Sequence, residues 1–182
     1  LMKLLVKALH GASNFDPVIL MAEELLTEKP KCIYLHYALG TAFSKNKEND
    51  KAIYHCQRFI DTLPEERDAK FKDDNLAMVH NNLAVCLKNA GFFDRAEANF
   101  QSALKIDDTF AAAHNNYGNL LNDQARINEA RESFIKAIDL DPEDHIAYWN
   151  LHSTATSSLQ AQAIIETCIS KSPTDEIALF TL

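Results

Sequence analysis

Two stretches of this chain spell the same pattern. His80-x-x-Leu83-Ala84-x-x-Leu87 lies over His114-x-x-Tyr117-Gly118-x-x-Leu121. Ala96, Phe100 and Ala103-Leu104 lie over Ala130, Phe134 and Ala137-Ile138, and every matched pair, from His80/His114 to Ala103/Ala137, is 34 residues apart. A fixed period in the range of about 20–50 residues constrains a fold more than any local preference. One such unit cannot bury its apolar face alone, so it must stack on its neighbours. Within each copy the apolar and small residues recur at i, i+3, i+4 and i+7, the spacing of one helix face. Each unit therefore reads as a helical hairpin, with Gly91 turning the first copy and Ala125 occupying that place in the second.

The period extends in both directions. Upstream, His36-x-x-Leu39-Gly40-x-x-Phe43 and Ala52, Cys56, Phe59-Ile60 fill the same slots, and Pro30 and Pro64 close successive units. Leu4, Leu5 and Leu9, then Pro17 with Val18, Ala22, Leu25 and Leu26, read as a first unit that lacks its opening residues; a proline in a first helical turn sacrifices no hydrogen bond. After Pro64 the period slips by about ten residues, within the charged run from Glu65 to Asn75. That insert reads as a longer loop or as extra helical turns, with Asp73 or Asp74 capping the next helix. Downstream, Tyr148 and Leu151 begin another unit, but His152 stands where a small residue is expected, and Thr154 to Ser158 is a weak helix former. The expected units are 1–32, 33–66, 77–110, 111–144 and 145–175, with the insert at 65–76 and the start of a further helix at 176–182.

These residues resemble the tetratricopeptide repeat pattern, W-x2-L-G-x2-Y…A-x3-F…P, over most of the chain; the copy ending at Pro142 keeps even the terminal proline. The resemblance implies an all-α, right-handed α-solenoid of about five helix-turn-helix repeats, forming a single array with its first helices lining a concave groove. Residues on those helices beside the buried stripe would face the groove, among them Tyr37, Asn81, Asn115, Asn119 and Trp149.

Asn82, Asn116 and Asn150 recur at the same period, one per repeat. An amide carries donors and an acceptor, so successive amides can pair with the backbone of an extended peptide whatever its side chains. HNNLAVCLKNAG and HNNYGNLLNDQ are similar to repeats of the O-GlcNAc transferase family and its bacterial relatives. In that family such a ladder holds the substrate's main chain, and the implication extends to Asn82, Asn116 and Asn150 only. The matching residue of the repeat at 33 is Ala38, so the ladder is expected to fail there. An asparagine in this slot could also simply bond a neighbouring helix. A second family mode, gripping the carboxylate of a chaperone tail, needs cations where this chain has Tyr37, Thr41, Ile146 and Asn150.

The functional expectation is a protein-interaction scaffold that binds an extended segment. The alternatives are a non-catalytic, substrate-presenting arm of a larger enzyme such as a glycosyltransferase, or an architectural subunit of an assembly. No nucleophile–base–orienter trio or phosphate loop is spelled, so no enzyme site, cofactor or metal is expected. His36, His80 and His114 form a column in the slot of the family's tryptophan, where packed and hydrogen-bonded histidines are the expectation. The net charge of −8 excludes a typical nucleic-acid binder. It is compatible with a partner carrying basic residues, and the simpler reading is a solvated acidic surface.

No segment reaches the roughly 18 apolar residues of a membrane span, and the Leu1–Leu9 stretch lacks a signal-cleavage site. Cys32, Cys56, Cys86 and Cys168 show no metal-ligand spacing. They read as structural thiols of a reducing compartment, hence an intracellular, cytoplasmic setting. The start at Leu1 is expected of an excised fragment. The uncapped end around Leu179 and Leu182 would continue in a longer protein or be shielded by another chain, a route to self-association.

Overall fold

The computed structural model describes residue 9, residues 14–62 and residues 69–171. Among the described residues the chain forms nine α-helices and no strand, the all-α solenoid class that the period implies. Helices α1 (Asp16–Glu28), α2 (Ile33–Lys45), α3 (Asn49–Thr62), α4 (Ala69–Asn89) and α5 (Phe93–Ile106) fall in one compact unit, Leu1–Ile106. Helices α6 (Ala111–Asp123), α7 (Ile127–Leu140), α8 (His145–Ser153) and α9 (Ser158–Lys171) fall in a second, Asp107–Leu182. The expected stripe at Leu4 and Leu5 and the further helix at 176–182 lie outside the described residues.

In the first unit α2 packs on α3, and α4 on α5, as hairpins; α1 against α2, and α4 against both α2 and α3, join them. The buried faces follow the 3.6-residue period: Leu35, Leu39 and Phe43 on α2, Ala52, Cys56 and Phe59 on α3. Leu83, Ala84 and Leu87 on α4 and Ala96, Phe100 and Ala103 on α5 repeat the arrangement. In the second unit α6 packs on α7 and α8 on α9, and α8 lies against both α6 and α7. Their shared core is Leu121, Ala130, Phe134, Ala137, Ile138, Ala147, Tyr148 and Leu151, with Tyr117 and Ile164 packed against it. Each buried phenylalanine in such a core is worth about 1.5–3 kcal/mol of transfer free energy.

Three hairpins turn by one device. Lys47, Gly91 and Ala125 have φ of 62°, 83° and 60°, the left-handed region. Their N–H groups reach back to the carbonyls of Ser44, Lys88 and Asn122. The next N–H in each turn, from Glu48, Phe92 and Arg126, reaches Phe43, Leu87 and Leu121 at 2.9 Å. This pair of bonds is the Schellman cap, which satisfies carbonyls that a helix end leaves open. Only Gly91 adopts it without a Cβ penalty. Arg126 then starts α7, its guanidinium bound at two points by the Glu129 carboxylate, at 2.9 and 2.6 Å.

The fourth turn differs. Helix α8 has 9 residues where α6 has 13. It starts on an Asp144 side chain that accepts from the Ile146 N–H at 3.0 Å. It ends where the buried Thr154 hydroxyl donates to the Leu151 carbonyl at 2.6 Å. Thr156 donates to Gln160 through both its N–H and its hydroxyl, and the Ser157 hydroxyl accepts from the Gln160 N–H, which together start α9. Helix α4, at 21 residues, is the longest described, because residues 69–76 of the insert are helical. Asp73 and Asp74 thus lie inside α4 rather than capping it.

Candidate functional site

The residues expected to line a groove divide by burial. Tyr37 is a correction: it is 1% exposed, with its hydroxyl donating to Met78 Sδ at 3.3 Å. Helix α2 is covered by α1, α3 and α4 and buries Ile33 and every residue from Leu35 to Phe43, so it keeps no open face for a ligand. A helix apolar all round belongs in an interior. Asn81 and Asn82 on α4 are also buried, and the Asn81 amide donates to Asn82 Oδ1 at 3.4 Å.

In the second unit the arrangement is more open. Asn115 on α6 is buried, while Asn116, Asn119 and Asn150 are half-buried. The Asn150 amide on α8 donates to Asn115 Oδ1 at 2.8 Å, joining the two first helices of successive hairpins. Beside Asn150, Trp149 is 39% exposed and stands edge-on to His152 with ring centroids 5.9 Å apart. Ile146, one turn earlier on α8, is also exposed. An amide pair braced between helices and flanked by an exposed indole and an exposed aliphatic side chain offers both polar and apolar contacts to a ligand.

The histidine column is packed and bonded. His36 Nε2 lies 3.0 Å from the Pro30 carbonyl, and His114 Nε2 lies 3.0 Å from the Asp108 carbonyl, six residues back in both cases. His80 Nδ1 lies 2.9 Å from Asn99 Oδ1, and His36 Nδ1 lies 3.0 Å from His55 Nδ1, each pair 19 residues apart. His55 was not singled out from the sequence. The signal was this recurring offset, which leads from each first helix to the facing position of the second.

Burial is the largest cause lowering the pKa of both rings. His55 is pushed down to about 4, with His36 and Lys51 adding to the effect. For His36 the Pro30 hydrogen bond works in the opposite direction, and Arg58 lowers it further.

No group of three or more potential ligands for a metal occurs among the described residues. Cys56 is buried and its thiol pKa is driven upward, by desolvation first and by Cys86 second. Cys86 is likewise buried and raised by desolvation, against a hydrogen bond to Ser44 Oγ at 3.5 Å that lowers it. The Cys168 side chain lies outside those described. No described helix is long and apolar enough to cross a membrane.

Comparison with known proteins agrees with this fold. The tetratricopeptide repeat family model matches residues 80–154. No curated protein sequence matches the chain. Among solved structures, the fold is similar to that of YrrB, a TPR protein with an unusual peptide-binding site: 15% identity and a TM-score of 0.69, over 99% of this chain and 87% of that one. It is similar to MamA from Desulfovibrio magneticus RS-1 at 14% identity and a TM-score of 0.72, over 96% and 93%. The first TPR of Spaghetti, bound to an HSP90 peptide, matches at 18% identity and a TM-score of 0.57, over 72% and 93%. The family match is confined to residues 80–154, and the solved structures share the fold over most of the chain.

Proposed function

We propose that this array of tetratricopeptide repeats is a non-catalytic interaction module that holds an extended polypeptide segment against the first helices of its second unit. Asn116 and Asn150 contact the partner's main chain, with Asn119 beside them, and Trp149 and Ile146 receive its side chains. Asn82 holds the equivalent position in the first unit, where its burial leaves it less to offer a ligand. The observation behind this reading is the pairing of an exposed Trp149 with an Asn150 amide already braced by Asn115. Exposed aromatics of this kind anchor interfaces, and an amide held in place loses less entropy when a ligand arrives. The peptide-bound and peptide-binding neighbours share the fold and are consistent with that use. The net charge of −8 favours a segment carrying lysine or arginine.

The test is selection from a displayed peptide library on the full chain, followed by affinity measurement. Trp149→Ala and Asn150→Ala should each weaken a selected peptide about tenfold or more, a change of about 1.4 kcal/mol, while the helical circular dichroism stays unchanged. A selected peptide indifferent to both substitutions refutes this site. A library that yields no binder refutes peptide binding itself.

A further inference from the structure

The His36–His55 pair has a property that the other histidines of the column lack. His36 Nε2 is tied to a carbonyl, which can only accept, so that nitrogen carries a proton. In the neutral ring its Nδ1 is then an acceptor, and the bond to His55 Nδ1 requires the proton to sit on His55 Nδ1. The tautomers of both rings are thereby fixed. His55 stacks on Phe43 with centroids 5.7 Å apart and meets the edge of Tyr54 at 5.0 Å, so the pair sits in an aromatic cage between α2 and α3.

We propose that this pair is an acid-sensitive latch: the α2–α3 hairpin stays closed while both rings are neutral and opens when they take up protons. A first proton leaves the Nδ1–Nδ1 bond in place but puts a full charge inside the cage. A second proton leaves two N–H groups facing each other at a separation of 3.0 Å, and the bond is lost.

Among the described residues the surroundings offer a charged ring no relief. The described charged groups acting on the pair are cations from α3, Arg58 on His36 and Lys51 on His55. Lys51 also stands over the Phe43 ring at 4.8 Å. The carboxylates nearby are engaged with Lys51: Glu48 at 2.8 Å, and Glu23 of α1 through its field. Among the described side chains of α4, Cys86 acts on Cys56 of α3, and it is a buried thiol that stays protonated and neutral. Tyr37 of α2 is neutral as well, its pKa raised by burial. Among the described residues no carboxylate is hydrogen-bonded to either ring.

The remaining column members act as internal controls. His80 bonds Asn99 Oδ1 and His114 bonds the Asp108 carbonyl, both acceptors, so each keeps its bond when protonated. Acid should therefore open α2–α3 ahead of α4–α5 and α6–α7.

Hydrogen exchange on the full chain, followed by mass spectrometry at pH 7 and at pH 4.5 with intrinsic exchange rates corrected, tests the latch. Peptides from α2 and α3 should lose protection at least tenfold at the lower pH, while those from α6 and α7 hold theirs. His55→Gln, which keeps an amide donor to His36 and cannot charge, should remove the difference. Equal loss in both hairpins, or none in α2–α3, overturns the proposal. Should His55→Gln fail to fold, imidazole NMR on the unaltered chain decides. His36 and His55 should titrate below the ordinary histidine range, together with loss of α2–α3 amide protection. Titration of the pair without that loss overturns the latch.

Discussion

Gly118 on α6 faces the ring of Phe134 on α7 so closely that a Cβ added there would stand 2.5 Å from Cε1 and 2.7 Å from Cδ1. The equivalent Gly40 would place a Cβ 2.8 Å from Cys56 Sγ and 3.2 Å from the Cys56 nitrogen. Backbone lies behind the second contact and an aromatic ring fills the first, so neither can simply swing aside. Gly118→Ala and Gly40→Ala should each lose about 1–3 kcal/mol of stability, the usual cost of overpacking. Urea denaturation should show a lowered midpoint with an unchanged slope. An unaltered midpoint for Gly118→Ala would mean that the two helices of the hairpin part easily.

The turns predict the opposite sign. Ala125 and Lys47 hold left-handed conformations that cost a residue with a Cβ about 1–2 kcal/mol, whereas glycine adopts them freely. Glycine also has more freedom to lose on folding, which offsets part of the gain. Ala125→Gly and Lys47→Gly should stabilise by about 0.5–1 kcal/mol. Gly91→Ala, where the added methyl meets nothing within 4 Å but φ is 83°, should destabilise by about 1 kcal/mol. Thermal melting of the three variants side by side checks the signs.

Thiol chemistry separates the cysteines. Cys32 is half-buried, Cys56 and Cys86 are buried, and desolvation holds the latter two protonated. Thiolate is the reactive form. Of these three, Cys32 should react with a thiol reagent first under native conditions, and Cys56 only at the rate of local opening. Mass spectrometry of tryptic peptides after brief labelling distinguishes this order from uniform reaction.

Stability should fall on the acid side of neutrality. The folded-state pKa of His55 is lowered to about 4 against an ordinary 6.5, so the unfolded chain binds its proton first. Above the ordinary value both states are neutral and the pair makes no pH-dependent difference. As pH falls from 6.5 towards 4 the unfolded state gains, by about 3 kcal/mol in all at roughly 1.36 kcal/mol per pH unit. Chemical denaturation from pH 7.5 to 4.5 should trace that decline, and His55→Gln should flatten it.

The helical hairpins were legible because packing places small and large residues at fixed slots: the Gly40, Ala84 and Gly118 positions against the Cys56, Phe100 and Phe134 positions recur with the period. The chemistry between those slots was less so. Tyr37 was misplaced because its position beside the core stripe marks a groove only where one side of the helix is uncovered, and α2 has neighbours on several sides. His55 was missed because its slot changes identity, from His55 to Asn99 to Ser133, so no repeated letter marks it. The brace between Asn150 and Asn115 crosses from one hairpin to the next and joins residues at different repeat positions, which comparison at a strict period cannot bring together.

The rings of His36 and His114 grip main-chain carbonyls, of Pro30 and Asp108, and a carbonyl is supplied by any amino acid. Evolution is thereby free to vary the side chain at that junction while the anchor persists. A proline that a repeat signature demands, and that is missing at position 108, need not signal a weakened joint.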